Sequence, residues 1–324
     1  MKKLSNLFKA AATLSLLSLS LTGSASAQQP SATTTDSTGL EVSAPIYQYT
    51  IKPGSVQQDI IKIKNVGSTV QTFYPEVRDF KPLNETGAPN FLPVGQDNGT
   101  FSLEKWISFS TSAVTLNPNE SQAFNFNITV PANAEPGGHY GGILFSTKAP
   151  NVSGTGVGIN SEVGSLILVR VAGAAKESLS IAEFSTDKTS YDSANVNFKL
   201  RLENTGSVHL QPKGVVTIKN IWGGIVASID VNQAGNNVLP SSIRQFQMSW
   251  KDPGFKIGYY TATVLMNYGD PSQTISSQTS FWILPWKTLL VLLVLVILLI
   301  VALYFTIKKY NQWIISKAKA QQSK

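Results

Sequence analysis

The sequence has no cysteine, two histidines and three methionines, and charged residues fill only 14% of its 324 positions. The missing cysteine excludes a disulfide framework, thiolate metal sites, cysteine nucleophiles and a lipid-modified N-terminal cysteine. With His139 and His209 alone, the chain shows no Ser/His/Asp spacing and no HExxH motif. The Gly-rich run at 154–158 lacks the lysine and following helix of a phosphate cradle, so it reads as a loop. The acids are scattered, with no pair spaced for glycoside hydrolysis and no Asp-rich calcium loop. The expectation is a protein that is not an enzyme and has no cofactor or metal. Sustained helical periodicity is also missing between residues 40 and 282.

Positive charge is present but confined to the ends. Of 26 Lys+Arg, residues 1–27 hold three and residues 285–324 hold six, with no acid in either segment. The remainder sets 17 bases against all 19 acids, a net charge of −2, and gives no electrostatic support for nucleic-acid binding.

Those basic ends flank apolar runs. Lys2, Lys3 and Lys9 precede the apolar stretch Ala10 to Leu21, and Ser24-Ala25-Ser26-Ala27 follows with small residues. This is the layout of a secretory signal peptide of bacterial type spanning 1–27, cleaved after Ala27. At the other end, Leu289 to Phe305 is an unbroken apolar run with Trp282, Trp286 and Tyr304 at its margins. We expect one transmembrane helix over 283–307 and a cytoplasmic tail over 308–324. Lys308, Lys309, Lys317, Lys319 and Lys324 place that tail inside under the positive-inside rule. The bulk of the chain then stands outside the plasma membrane, as a single-pass protein of type I topology at the cell surface.

Residues 28–40, rich in Ser, Thr, Gln and Ala, read as a disordered lead-in. Beyond them, strict alternation marks strands at Phe124 to Val130, at Val196 to Leu202 and at Tyr260 to Tyr268. Breakers such as Lys52-Pro53-Gly54, Asn117-Pro118-Asn119 and Asp252-Pro253-Gly254 separate them. The fold class is all-β. The two halves repeat an order of signals: a strand ending in Asn-x-Gly-Ser (65–68 and 204–207), a Leu/Pro turn (116–118 and 239–240), an alternating strand, then a Pro-Gly turn into an aromatic-rich strand. That order predicts two tandem Ig-like β-sandwiches, at 41–175 and 176–282.

Two stretches read as long insertions in the first unit, Asp79 to Thr100 and Ala149 to Ser161, and long loops on a rigid sandwich are where binding resides. Phe80 and Phe91 are candidate ligand contacts in the first, with stapling of the loop as the alternative. Trp222, in the hairpin turn Trp222-Gly223-Gly224, is a third candidate, with packing over its own hairpin as the alternative. Gly141-Gly142 inside a strand calls for a bulge or a close backbone approach. His139 is expected to pack, and His209, after a turn, to be exposed.

Trp106-Ile107-Ser108-Phe109, the run from Val114 to Pro131, Pro136-Gly137-Gly138-His139-Tyr140-Gly141-Gly142-Ile143 and Val163-Gly164-Ser165-Leu166 together resemble the WxL-interacting protein family. The resemblance covers about half of the first unit. It implies a peptidoglycan-binding β-domain, a second Ig-like domain that binds host or partner proteins, a transmembrane helix and a lysine-rich tail. The leading functional expectation is an adhesion or scaffold protein that binds cell-wall glycan, another wall polymer or a surface protein. The alternatives are a β-strand-pairing chaperone or assembly factor for surface proteins, and an accessory subunit of a membrane sensor or transporter.

Overall fold

The computed structural model describes residues 39–147 and 162–322, with side chains described as far as Ile315. The signal peptide, the lead-in up to residue 38, the stretch from 148 to 161 and the side chains of Lys317, Lys319 and Lys324 lie outside the described residues. The first sandwich holds β1 (Leu40–Val42), β2 (Ile46–Ile51), β3 (Val56–Asn65), β4 (Gln71–Leu83) and β5 (Ala88–Phe91). It continues with β6 (Ile107–Phe109), β7 (Val114–Leu116), β8 (Ser121–Thr129), β9 (Gly137–Ser146) and β10 (Glu162–Val171). The second holds β11 (Leu179–Thr186), β12 (Ser190–Tyr191), β13 (Ala194–Asn204) and β14 (Lys213–Asn220). It ends with β15 (Ile225–Val231), β16 (Ser242–Asp252), β17 (Gly258–Tyr268) and β18 (Gln273–Ile283), after which comes the helix α1 (Trp286–Gln322).

The sheets repeat. One sheet of the first sandwich has the order β1-β3-β8-β6 and its counterpart in the second β11-β13-β16. The facing sheets run β2-β10-β9-β4-β5, with β7 also on β4, and β12-β18-β17-β14-β15. Strand for strand the orders coincide, down to the parallel pairs β2 with β10 and β12 with β18. The first sandwich adds only β6, on the outer edge of β8, and β7.

Alternation explains each layer. In β13 every second residue from Ala194 to Asn204 is buried, and in β8 Phe124, Phe126 and Ile128 point inward. The two cores are separate: Ile61, Phe73, Phe126 and Phe145 are among the first, Phe198, Val264 and Phe281 among the second. Central β9 is buried along its whole length. Its Gly142 answers a close approach, because a side chain there would collide with the Phe91 ring, and β9 keeps register with both neighbours without a bulge.

The stretch from Asp79 to Thr100 is not the open insertion its composition suggests. β4 runs on to Leu83 and turns through Asn84 and Gly87, both at positive φ, into β5, with Phe80 opposite Phe91. Pro82 and Pro89 face one another near the end of this short ladder. The segment that follows is held by the buried Asp79 carboxylate, which accepts the N–H groups of Leu103 and Glu104 at 2.9 Å and of Asn98 at 3.0 Å. That anchoring delivers the chain into β6.

Both Asn-x-Gly-Ser turns are built alike. Asn65 donates its amide to the carbonyls of Thr69 (2.8 Å) and Leu116 (3.0 Å) and accepts the Gly67 N–H (2.9 Å). Asn204 does the same to Val208 (2.9 Å), Val238 (2.8 Å) and Gly206 (2.9 Å). Both side chains are fully buried. Replacing either by Ala strands two carbonyls and one N–H, so Asn65→Ala and Asn204→Ala should each destabilise the chain by about 3 kcal/mol. Thermal or denaturant unfolding of the detergent-solubilised variants checks this, and an unchanged midpoint would refute it.

Candidate binding surface on the second sandwich

Three groups of side-chain contacts stand out where the sandwiches meet. In the first, Phe80, Tyr140 and Leu168 form a small buried cluster with Phe91, Phe101 and Leu239 packed on it. The Tyr140 hydroxyl accepts the His209 N–H at 2.8 Å and lies 3.3 Å from His209 Nδ1, to which it can donate its own proton. In the second, the Glu85 carboxylate at the β4–β5 turn takes both Nε (2.7 Å) and Nη2 of Arg201 on β13, while its carbonyl accepts the Gln245 N–H at 2.8 Å. The third runs through Glu177, which pairs with Arg170 at 2.6 Å and accepts the Asp270 N–H at 2.7 Å.

His209 is therefore not an exposed turn residue. It is inserted between the sandwiches, where burial and then the Arg170 charge lower its pKa to about 4. His139 packs on Trp106 with ring centroids 4.1 Å apart and faces the Ser102 carbonyl at 3.0 Å, and burial lowers its pKa too.

Of the three sequence candidates, the structure brings Phe80 and Phe91 together and leaves Trp222 apart from them. Phe80 is 3% exposed, its ring packed against Phe91 and Tyr140 at the junction, where it also borders a groove with Phe101 and Asn98. Phe91 is half-buried beneath the Arg78 guanidinium, 5.9 Å from the ring centre. Trp222 stands 89% exposed at the end of the second sandwich opposite the junction.

The surface that sequence reading missed is the outer edge of β16. Asn65 and Asn204 align the two units, and from them Ile61 corresponds to Leu200; their partners Phe124 and Phe246 then correspond as well. Phe126 to Ile128 on β8 thus match Met248 to Trp250 on β16. On β8 this stretch is covered by β6, with Ile107 opposite Ile128, Ser108 opposite Asn127 and Phe109 opposite Phe126. On β16 no described strand of the chain takes that place. The Gln245 N–H points outward to Glu85, and since N–H groups alternate sides along a strand, those of Gln247, Ser249 and Lys251 point outward too. Nearby β15 is likewise an edge strand. Val226 and Ile229 on β15 and Phe246 and Met248 on β16 pack on the core yet remain half-exposed on this open side. The outer face of β11-β13-β16 beside it forms a shallow depression of about 900 Å3 that Gln247, Met248 and Ser249 help to line. Lys199 and Ser185 hydrogen-bond the Glu183 carboxylate there and hold its pKa below the usual range.

The fold thus defines the class, an all-β protein of two Ig-like sandwiches followed by one helix long and apolar enough to cross a membrane. No family model matches the chain, and no curated protein does. Among solved structures it is similar to the class 5 fimbriae chaperone CfaA, at 11% identity and a TM-score of 0.37, covering 76% of this chain and 100% of that one. A chaperone–tip adhesin complex of CFA/I fimbriae gives 11% and 0.38 over 74% of this chain and 98% of that one. The E. coli chaperone DraB gives 13% and 0.33 over 76% and 96%. At this level the likeness is one of sandwich architecture alone.

The lowered pKa values of the two histidines predict a fold that weakens in acid. A His whose folded pKa lies below its unfolded value of about 6.5 gives its full stabilisation above that pH and loses it as pH falls toward the folded pKa. For His209 the loss approaches about 3 kcal/mol by pH 4, and protonated Nδ1 would oppose the Tyr140 hydroxyl. His139 acts in the same direction; Glu104, whose pKa burial and Asp79 raise, acts in the other. The melting temperature of the solubilised chain should fall between pH 6.5 and 4.5, and His209→Asn should flatten the fall. Equal slopes for both proteins would refute the assignment.

Proposed function

We propose that this chain is a non-enzymatic, membrane-anchored binding protein of the cell surface that holds a partner polypeptide by adding one of its strands to β16. The observation that carries this reading is the uncovered ladder at Met248 to Trp250, at the place that β6 fills on β8. Native sheets keep their edges short, covered or charged, and an extended segment can add to an open one through main-chain hydrogen bonds. β16 is an eleven-residue edge, and the half-exposed Phe246 and Met248 beside it supply apolar contact for alternate side chains of the guest. α1, with no acid and with Lys308 and Lys309 at one side of its apolar run, supports anchoring with the sandwiches outside. A strand-holding assembly factor and an adhesion scaffold would use this edge in the same way.

Ser249→Pro separates binding from folding, because it deletes an outward N–H that the β13 ladder does not use, and proline is tolerated on edge strands. A tagged wild-type chain isolated from cross-linked intact cells should bring down a surface polypeptide that the Ser249→Pro chain loses, with the melting temperature of the variant unchanged. Recovery of the same polypeptide in the same amount by both would end this reading.

Attachment to wall glycan, which the resemblance to WxL-interacting proteins implies, is favoured by a groove of about 440 Å3 at the junction. The half-buried Phe101 lines it beside Asn98, whose amide already donates to the Phe80 carbonyl at 3.0 Å and keeps its Oδ1 for a ligand. Rings with a few polar groups are the chemistry that sugar recognition uses. Purified chain should co-sediment with isolated cell walls while Phe101→Ala reduces the bound fraction; a wild-type chain that stays in the supernatant would exclude wall binding.

A further inference from the structure

The end of the second sandwich from which α1 departs carries an apolar rim with no role in the fold. β18 ends at Ile283 opposite Gly258, the first residue of β17, and Asn220 at the end of β14 lies opposite Tyr260. The β14–β15 turn, the loop before β17 and the exit to α1 therefore share one pole. The turn presents Ile221, Trp222 and Ile225, and the loop presents Phe255 and Ile257. All five are exposed, Trp222 to 89% and Phe255 to 62%. Val94, on the first sandwich, is as exposed at 66% but has no such partners in its own turn.

This rim is held outward by design of the turn. Asn220 Oδ1 accepts the N–H groups of Trp222 (3.0 Å) and Gly224 (2.9 Å), and Gly223 sits at φ 80°, a conformation that glycine tolerates. The Trp ring is left with no packing partner among the described residues, so its display is structural. Lys219 precedes Asn220 at the end of β14, Lys251 precedes Asp252 at the end of β16, Lys287 is the second residue of α1, and Asp192 follows Tyr191, the partner of Ile283. Asp252 is already paired with Lys256 at 2.9 Å.

Only Leu284 and Pro285 link β18 to α1, and Leu284 is tied back by its N–H to the Tyr191 carbonyl at 2.8 Å. Two residues span about 7 Å, too little to hold the pole away from a membrane surface entered by the helix. The tip lies between β14 and β15, two to three strands from β18, about 10–15 Å to the side. Tryptophan at such a level favours the headgroup layer, and lysines at the same pole favour anionic lipid.

We infer that this pole is a lipid-docking surface: Trp222 and Phe255, with their aliphatic neighbours, insert into the headgroup–acyl boundary of the bilayer that α1 spans. The inference rests on the reading of α1 as a membrane span. Docking at three places (the helix, the hairpin tip and the Phe255 loop) fixes the second sandwich on the membrane instead of leaving it to swing about Leu284–Pro285.

The absence of cysteine allows a single environment-sensitive label at any chosen site. Full-length chain carrying Trp222→Cys, Phe255→Cys, Ile297→Cys or Val94→Cys, labelled with NBD, is reconstituted in liposomes of phosphatidylcholine and phosphatidylglycerol with and without nitroxide-bearing lipid. The docking surface predicts blue-shifted emission and lipid-borne quenching at 222 and 255 as well as at 297, and neither at 94. Quenching at 297 with 222 and 255 behaving like 94 would overturn the docking surface while leaving the anchor in place. No quenching at 297 would overturn the anchor itself and the inference with it.

Discussion

The amide of Asn204 is the interaction on which the rest of the second sandwich turns. It closes the turn after β13 by binding Val208 and reaches across to Val238, while the Asn204 backbone carbonyl takes the Ser241 N–H at 2.8 Å. On one side of that turn Ser207 receives the Gly138 N–H from the first sandwich at 2.8 Å, and His209 meets Tyr140. On the other side, β16 starts at Ser242. One buried side chain thus sets both how the sandwiches meet and where the open edge begins. A buried polar group is useful in this way because its partners are obligatory: each left unpaired costs about 1–3 kcal/mol, which discourages any other arrangement of the turn.

Asn65 performs the equivalent task in the first sandwich, and the difference between the units is what each does with the neighbouring edge. There the buried Asp79 collects three N–H groups and leads the chain into β6, so the edge of β8 is closed from within. In the second unit the chain passes from β15 to β16 without supplying a covering strand. One architecture thus appears once with this edge covered and once, among the described residues, with it open.

Much of this was legible in the sequence. Alternation in 124–130 and 196–202 marked core strands because one face of each is buried, and the paired Asn-x-Gly-Ser motifs marked two units because both asparagines serve the same backbone groups. The apolar run after Trp286 is the helix, which continues to Gln322 past Lys308 and Lys309. Other features were hidden because they depend on contacts far apart in the chain. Proline and glycine around Asp79 to Thr100 suggested a loop, yet the Phe80–Phe91 pair and the Gly142 backbone beneath it make a ladder. His209 looked exposed because Tyr140, which buries it, lies 69 residues away. The vacancy on β16 has no local signal: it becomes visible only when the registers of the two sandwiches are laid over one another.

The direction of β16 has a mechanical consequence. It runs from the junction, beside Glu85, to the pole beside the Phe255 loop, and the pole is tied to α1 by two residues. Ladder bonds lie across a strand, so under the proposed function a guest strand on this edge, tugged lengthwise, would load all of its bonds at once in shear. Tugged sideways, the same guest peels off one bond at a time. With the sandwiches clamped by Glu85, Tyr140 and Glu177, little of the force is lost in bending between them. The grip of such a protein would be directional, firm along its own axis and yielding across it.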